Sequence, residues 1–581
     1  METADDDVLT RLEISTRDAR RLQLETLQSI LQHNSDTDYL KTYLRDPEIG
    51  ADSFRRLVPL SSYADYADLI GLIADGIKPP SSLSSNPLLC FFLSSGTSSS
   101  KPKLVPFFDS QLAKTSSNLA HQASSALLRR LFPPRPSISK ILWFLYAGNV
   151  TETKGGFKVM AATAYPLQGK GPNPSPLLNI CVSPQEVILG DDIYQQTYCH
   201  LLCGLRFSSS IDAIRAPYAA GLVRAIRLLE SNWEQLCHDV EFGSVSSKIT
   251  ESPMREIVEK LLGGPQLDLA QRTQVACQKE SWCGILRELW PEMRYIACVT
   301  TGSMEQYYPI LKYYAGETVP LLCGDYFASE CPVGINLERT CSPENTSFVL
   351  LPTAAYFEFL PFDIETSPYD KKETVDISSV EVGNLYEVVV TTYRGLYRYR
   401  LGDVVKVVGF YNSSPRIKFV TRARRDSSEI ITERDLMSAM ENIQLMLRDE
   451  CSGEIVEFAG CLDSDSSKRH ANIFVEVSSD CVLLQKKRLE ESIAFLRRCC
   501  SSLEEYLGIV YKLKRSNGDL APVEIAIVNP GSFERLLKMA VENGVSANQY
   551  KPPKIIRNYE IVKTLKACIA VKANSEAALL H

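Results

Sequence analysis

The pattern of apolar positions predicts three long helical regions in the first half of the chain. Residues 8–47 carry apolar side chains between charged ones at helical spacing, and residues 110–131 form a second such stretch with Asp109 in the N-cap position. In the span 219–240, apolar side chains recur at steps of three and four, which predicts a helix with one buried face. The members of that stripe are Leu222, Ile226, Leu229, Trp233, Leu236 and Val240.

From about residue 295 onward, short apolar or alternating runs separated by Gly, Pro and Asn predict strands. Because helix-rich and strand-rich stretches mix, the fold class is a large α/β or α+β domain. After a charged, hydroxyl-rich stretch at 420–435, a further α+β module follows, and its length of about 150 residues is a normal domain size. Its predicted elements are a helix at 433–449, strands at 454–459 and 472–477, a helix at 485–500, a strand at 524–528 and a helix at 532–542. The predicted division is therefore an N-terminal domain over 1–422, a hinge over 423–435 and a C-terminal domain over 436–581.

Composition narrows the class of protein. The chain has 581 residues, 45% of them hydrophobic and 23% charged, with a net charge of −7, which gives no basic footprint for nucleic acid or for a membrane surface. No apolar run approaches the roughly 20 residues of a membrane span, and the acidic N-terminus lacks the features of a secretory signal. The 17 scattered cysteines have no metal-site spacing and are interpreted as reduced, mostly buried thiols. We expect a cytoplasmic protein.

One stretch, FFLSSGTSSSKPKLVPF at 91–107, places six hydroxyls, a glycine and two lysines between two apolar runs. Gly96 lets the backbone curl close to a ligand, so that successive N–H groups can face an anion, while Lys101 and Lys103 add positive charge. The stretch is not a Walker A loop, because no G-K-[ST] stands at the required spacing. The pattern fits either a phosphate-binding loop or a solvated turn.

Three further residues acquire meaning only in combination. Glu330, in DYFASE, is a carboxylate whose presence near phosphate would indicate a divalent cation. Asp403, after YRYRLG, could accept hydrogen bonds from two ribose hydroxyls, and Lys551 precedes two prolines that stiffen its loop. Taken singly, each is an ordinary exposed residue. Together with the hydroxyl-rich loop they suit attack of a carboxylate on the α-phosphate of ATP, with the lysine neutralising charge in the transition state.

Several long motifs, in order along the chain, resemble the plant Gretchen Hagen 3 family of acyl-acid amido synthetases, which are adenylate-forming enzymes. They include FLSSGTSSSKPKLVPF, TGSMEQYYPIL, AAYFEFLPF, TTYRGLYRYRLGDVVKVVGFYN and NQYKPPK. The resemblance implies a large N-terminal domain with a β-barrel and helix-flanked sheets, and a smaller C-terminal α+β lid. It also implies ATP, Mg²⁺, a hormone acid of the jasmonate, indole-3-acetate or benzoate type, and an L-amino acid. The implied reaction is C–N ligation through an acyl-adenylate, with AMP and pyrophosphate as products.

The resemblance also assigns roles to residues of this sequence. It implies that Lys551 and Glu330 are catalytic and that Glu330 binds the metal. Nucleotide-binding residues are Ser95, Thr97, Thr115, Asp325, Tyr326, Phe327, Ala328, Ser329, Glu330, Asp403 and Lys551. Amino-acid-binding residues are Ser98, Thr163, Glu524, Ile525, Ala526, Ile527 and Val528. Acyl-acid-binding residues are Gln122, Ser303 and Pro332.

Two other readings stay open on the sequence. The chain departs from the family in a shorter, more polar hinge and in the bulky Phe327 beside the expected adenine position. A catalytically impaired relative that only binds hormone or nucleotide would release no pyrophosphate. An acyl-CoA ligase would depend on a thiol instead of an amino acid. We expect a monomer that acts on small molecules, with neither nucleic acid nor membrane as a partner.

Overall fold

The fold is taken from a computed structural model of the chain. It describes residues 2–45, 49–94, 103–168, 175–363, 373–423, 430–451, 453–463, 469–545, 547 and 550–575. Its helices are α1 (Glu2–Arg17), α2 (Ala19–His33), α3 (Asp38–Tyr43), α4 (Ala51–Leu57), α5 (Tyr63–Ala74), α6 (Gln111–Leu131), α7 (Gln185–Ile188), α8 (Ile193–Arg206), α9 (Ala219–Phe242), α10 (Ser252–Leu262), α11 (Leu267–Cys277), α12 (Ile285–Leu289), α13 (Tyr308–Ala315), α14 (Glu433–Cys451), α15 (Leu489–Tyr506), α16 (Ile509–Ser516), α17 (Ser532–Glu542) and α18 (Tyr559–Lys566).

Four sheets carry the strands. The strands are β1 (Leu88–Leu93), β2 (Leu104–Phe108), β3 (Lys140–Trp143), β4 (Thr151–Glu152), β5 (Lys158–Met160), β6 (Ile211–Tyr218), β7 (Tyr295–Val299), β8 (Leu321–Cys323), β9 (Tyr326–Phe327), β10 (Pro332–Ile335), β11 (Phe348–Leu350), β12 (Tyr356–Pro361), β13 (Leu385–Thr391), β14 (Tyr399–Tyr411), β15 (Ser414–Arg422), β16 (Ile455–Asp463), β17 (His470–Val477), β18 (Glu524–Val528) and β19 (Ile569–Asn574). Their orders are β2-β1-β5-β4, β3-β6-β7-β8, β12-β13-β14-β15-β11-β10-β9 and β16-β17-β18-β19.

The N-terminal helical region is divided where N-cap residues begin new helices. The stretch predicted as helical over 8–47 is three helices, because the Asp18 side chain accepts from the Arg21 N–H and Thr37 caps α3. The prediction of Asp109 as the cap of α6 is wrong. Ser110 holds that position and accepts from the Ala113 N–H at 3.3 Å, while Asp109 forms an ion pair with Lys114.

Helix α9 packs along the parallel sheet as its apolar stripe predicts. Five of the six stripe residues are buried and Trp233 is half-buried against the same core. The helix bends at Asn232, whose backbone is non-helical, and ends at Gly243 with φ 66°. The left-handed C-cap suits glycine because it has no Cβ.

The sheets differ in how their strands pair. All three pairings in β3-β6-β7-β8 are parallel, and helices cover this sheet in the largest buried cluster of the chain. The seven-stranded sheet is antiparallel throughout, with β12 and β9 at its edges. The C-terminal sheet is mixed, because β17 and β18 run parallel while its outer pairs are antiparallel.

The predicted mixed α/β class, with a large N-terminal part and a smaller C-terminal α+β part, is confirmed. In the C-terminal part, β18 and α17 lie at the bounds predicted from the sequence. The sequence pattern missed β19, which pairs with β18 and completes the sheet. Within the described ranges, no helix is both long enough and apolar enough to cross a bilayer.

Cysteine burial agrees with the sequence-based prediction. Fifteen of the 17 thiols are buried, Cys341 is intermediate and Cys283 is exposed. Burial raises the pKa of Cys90 to about 12 and that of Cys203 to about 12. These thiols are therefore protonated core side chains at neutral pH.

A buried ion pair ties the antiparallel sheet to the N-terminal helices. Arg398 Nη2 lies 2.9 Å from Glu358 Oε1, and these residues are 7% and 0% exposed. Arg398 also donates to the carbonyl of Val58 at 2.8 Å, and its backbone is left-handed with φ 46°. The contacts hold a strained residue between two parts of the chain.

Glu358→Gln should lower the free energy of unfolding by about 3–5 kcal/mol, because it leaves the Arg398 charge buried without a partner. Urea unfolding measures the change. Glu25→Gln is the control, since it breaks the exposed Arg21–Glu25 pair and should cost at most about 1 kcal/mol. Equal losses in the two variants would contradict the assignment of a structural role to the buried pair.

Candidate active site

The main cleft opens at the carboxyl ends of the parallel strands. Tyr218, Val299 and Cys323 are the last residues of β6, β7 and β8, and all three line it. Open parallel sheets place ligands at this edge, where side chains of the following loops converge. The cavity volume is about 680 Å³, which lies within the range of about 300–1,000 Å³ for small-molecule sites.

Asp403 is held by two partners at the wall of the cleft. The Tyr326 hydroxyl donates to Asp403 Oδ2 at 2.5 Å, and Arg422 Nη1 lies 2.6 Å from Oδ1. Burial lowers the pKa of Arg422, but the Asp403 carboxylate and the other acidic groups around the guanidinium together outweigh that effect, so the net pKa is raised. Asp403 is only 5% exposed, and the Tyr326 hydroxyl and the Arg422 guanidinium together orient its carboxylate.

Glu330 lies in the turn that joins β9 to β10 and lines the same cleft. Burial raises the pKa of its carboxyl, and the Lys103 ammonium opposes that shift. A nearby cation or metal would favour the ionised form of such a group. Positive charge in the cleft therefore stabilises the ionised form of Glu330.

Lys551 reaches the cleft from the C-terminal part of the chain. Its Nζ lies 4.4 Å from the centroid of the Tyr218 ring, a cation–π distance. Lys551 and Pro552 line the same cavity as Asp403 and Glu330. The structure thus brings together three of the groups that the sequence pattern combined.

The two residues that flank the hydroxyl-rich loop, Ser94 and Lys103, are hydrogen-bonded to each other. The Ser94 N–H donates to the Lys103 carbonyl at 2.9 Å, and the Lys103 N–H donates to Ser94 Oγ at 2.9 Å. Both residues line the cleft. The predicted ligands Ser95, Thr97 and Ser98 lie outside the described residues.

Two side chains at the start of the segment Asp325–Glu330 contact other parts of the chain. Arg339 Nη2 lies 3.0 Å from Asp325 Oδ1, in a pair with little solvent exposure. The ring of Phe327, which is 40% exposed, lies 5.0 Å from the ring of His121 on α6. The Asp325 carboxylate therefore fixes the turn, while Phe327 presents an aromatic face to the cleft.

Comparison with known proteins agrees with these features. The GH3 family N-terminal domain matches residues 8–321, the GH3 family central domain 348–422 and the GH3 family C-terminal domain 434–560. The chain belongs to the GH3 family. This is the family that its sequence motifs resemble.

Individual GH3 relatives cover most of the chain. A probable indole-3-acetic acid-amido synthetase of Oryza sativa subsp. japonica is 53% identical over 406 residues, or 68% of this chain and 82% of the relative. A jasmonoyl–L-amino acid synthetase from the same subspecies is 35% identical, and the match covers 95% of this chain and 94% of the relative. A solved GH3.15 acyl acid amido synthetase in complex with 2,4-DB has a TM-score of 0.84 at 31% identity, covering 99% of this chain and 98% of that one.

Other predicted site residues lie in different places in this GH3 protein. Ser303 lines the cleft, as do Ala328 and Ser329. Thr115 and Gln122 are exposed on α6, Thr163 is half-buried, and Pro332 is buried at the start of β10. None of these four lines the cleft in the described residues. The predicted amino-acid-binding stretch Glu524–Val528 is the inner strand β18 of the C-terminal sheet, with four of its five residues buried.

Sequence analysis missed several residues of the GH3 cleft. Tyr218 was not singled out, although its place at a strand end before a long helix is a usable signal. Arg422 lies at the end of β15, and only the fold shows that it meets Asp403. Tyr63 supports Lys103, whose ammonium lies 5.4 Å from the Tyr63 ring centroid.

Gly302→Ala should disturb the wall of this GH3 cleft more than Gly402→Ala does. Both glycines line the cleft and have positive φ, at 65° and 76°, so both substitutions share a backbone cost of about 1–2 kcal/mol. A Cβ at Gly302 would also meet Phe419 Cε1 at 2.9 Å, whereas nothing lies within 4 Å of one at Gly402.

Urea unfolding of the two glycine variants isolates the steric part of the effect. We expect the Gly302 variant to be the less stable, because Phe419 must move as well. Equal losses would show that Phe419 shifts without cost and would contradict the description of a packed cleft wall.

Proposed function

We propose that this GH3 protein is an ATP-dependent acyl-acid amido synthetase that joins a hormone acid to an L-amino acid. In the first step, a carboxylate oxygen of the acid attacks the α-phosphorus of ATP, and the bond to the β-phosphate oxygen breaks, which releases pyrophosphate. In the second step, the amine of the amino acid attacks the acyl carbon, loses a proton and expels AMP. The names of the relatives support an acid of the indole-3-acetate or jasmonate class, with benzoate types as further candidates.

The observation that carries the proposal is the meeting of Lys551, Asp403 and Glu330 in one cleft at the end of a parallel sheet. Asp403, oriented by Tyr326 and Arg422, would accept hydrogen bonds from the ribose hydroxyls. Lys551 would lie against the carboxylate and the α-phosphate, where its charge offsets the negative charge that develops during attack. The predicted phosphate contacts of Ser95 and Thr97 would come from the loop whose base Ser94 and Lys103 close.

The residues present also fit a magnesium ion. Mg²⁺ prefers oxygen ligands and binds through one or two carboxylates together with substrate phosphates. Glu330 is the carboxylate that would hold it, and because burial raises its pKa, a cation beside it would favour the ionised form. Bound there, Mg²⁺ would neutralise phosphate charge.

Several finer assignments stay predictions of the sequence. They are the roles of Thr115, Thr163, Gln122, Ser303 and Pro332, and of the strand Glu524–Val528. The domain limits 1–422, 423–435 and 436–581 likewise stay predictions, with residues 424–429 of the hinge outside the described ranges. The cytoplasmic location and the monomeric state belong to the same group.

Acid-dependent exchange of labelled pyrophosphate into ATP tests the proposed function. The assay needs Mg²⁺, ATP and one acid at a time from a panel of jasmonate, indole-3-acetate, salicylate and substituted benzoates. Exchange with one acid class would demonstrate adenylation, and amide formation on adding an amino acid, but no thioester on adding coenzyme A, would exclude the thioester ligase. Folded protein that exchanges with no acid of the panel would contradict the proposal and favour a relative that only binds.

Lys551→Ala should lower the adenylation rate by about 10²–10³-fold, as loss of one transition-state charge contact does. The measurement is the initial rate of pyrophosphate exchange at saturating ATP. Lys538→Ala is the control, because Lys538 is an exposed lysine of α17 that pairs with Glu534. A Lys551 variant as fast as this control would remove Lys551 from the mechanism.

A further inference from the structure

A buried polar network joins the two parts of the chain next to Lys551. Glu457, on β16, accepts from the Tyr307 hydroxyl through Oε2 and from the Lys554 ammonium through Oε1. Gln306 Nε2 adds a hydrogen bond to Glu457 Oε1 at 3.3 Å. Tyr307 and Gln306 belong to the turn after β7, so the carboxylate bridges the parallel sheet and the C-terminal sheet.

The three central side chains of the network, those of Lys554, Tyr307 and Glu457, are buried. Lys554 is 0% exposed, Tyr307 3% and Glu457 6%. Lys554 Nζ also lies 3.4 Å from the Phe458 carbonyl oxygen and 4.2 Å from the centroid of its ring. Burial lowers the pKa of Lys554, and Glu457 opposes that shift. A buried ammonium persists only where a carboxylate and further acceptors surround it, so the geometry of this group is tightly determined.

A stiff and short segment connects Lys554 to Lys551. The two intervening residues, Pro552 and Pro553, have fixed φ. The Lys554 carbonyl accepts from the Gly460 N–H at 2.8 Å, and the Ile556 N–H donates to the Gly460 carbonyl at 2.7 Å, which docks the segment on β16. Three residues span at most about 11 Å when extended. The position of Lys554 therefore restricts where Lys551 can lie.

Both ends of this segment meet the same edge of the parallel sheet. Lys551 contacts Tyr218 at the end of β6, and Glu457, paired with Lys554, contacts Tyr307 just after the neighbouring strand β7. A contact that holds a reacting group in place matters greatly, since a misplacement of about 1 Å can cost about 10²-fold in rate.

We propose that Tyr307, Glu457 and Lys554 are positioning residues that hold Lys551 in the cleft for the adenylation step. This inference rests on the proposed function. The Tyr307 hydroxyl gives the most direct test, because it is one of two groups that hydrogen-bond to Glu457 from the segment after β7, and its removal leaves the ring in place.

A double-mutant cycle separates positioning of Lys551 from general support of the fold. Single-turnover release of labelled pyrophosphate from ATP in the presence of the acid measures the adenylation step even in slow variants. We expect Tyr307→Phe to lower the adenylation rate about 10-fold when Lys551 is present, consistent with loss of orientation. In a Lys551→Ala background the same change should lower it less than about twofold, because contacts that act through one group are not additive.

Tyr314→Phe is the matched control. Tyr314 is a buried tyrosine of α13 whose hydroxyl donates to Glu230 at 2.7 Å, away from the C-terminal sheet. Its removal should leave the adenylation rate unchanged in both backgrounds, and thermal unfolding of all variants reports folding. If Tyr307→Phe does not fold, Gln306→Met takes its place in the double-mutant cycle, because it removes the hydrogen bond from Gln306 to Glu457.

Two results would overturn the inference. One is an unchanged adenylation rate in Tyr307→Phe, and the other is an equal loss with and without Lys551, which would mean that the network acts independently of the lysine. Failure of the proposed function is distinct, since the unmodified protein would then exchange no pyrophosphate with any acid.

Discussion

Parallel pairing of β6, β7 and β8 is the constraint on which the site depends. Because the three strands point the same way, Tyr218, Val299 and Cys323 end at one edge of the sheet, and the segments that follow must leave from that edge. Ser303 and Tyr307 lie in the segment that follows β7, and Asp325–Glu330 is the segment that follows β8. The sheet thereby gathers residues that are far apart in sequence, and the C-terminal part needs to contact only this edge to complete the cleft.

Three acidic residues that line the cleft are held in ion pairs. Asp403 is paired with Arg422, Asp325 with Arg339, and Glu387 with Arg400. Such pairing fixes side chains before any ligand arrives, so little reorganisation accompanies binding. Glu330 and Lys551 differ, because neither forms an ion pair in the described residues, and these are the two groups for which a chemical role is proposed.

The sequence predicted those features whose cause is local. The strand at 524–528 and the helix at 532–542 were predicted at their observed bounds, because an apolar run and a helical stripe stand on either side of Asn529-Pro530-Gly531. The break between α1 and α2 was missed, since Asp18 looks like any other polar residue in a charged helix. The contact between Tyr326 and Asp403 joins residues 77 positions apart, and no periodicity carries that information. Lys551 and Asp403 were singled out by their combination with the other motifs, while the pairing of Arg422 with Asp403 needed the fold.

The distribution of thiols has a practical consequence. Since Cys283 is exposed, Cys341 is intermediate and the other fifteen thiols are buried, a labelling reagent should find few fast sites and many slow ones. The slow sites lie in several cores, including Cys298 on β7 of the parallel sheet and Cys499 in the C-terminal part. Their individual labelling rates would therefore report how often each core opens. The cysteines therefore report on local opening in both the N-terminal and the C-terminal part of the chain.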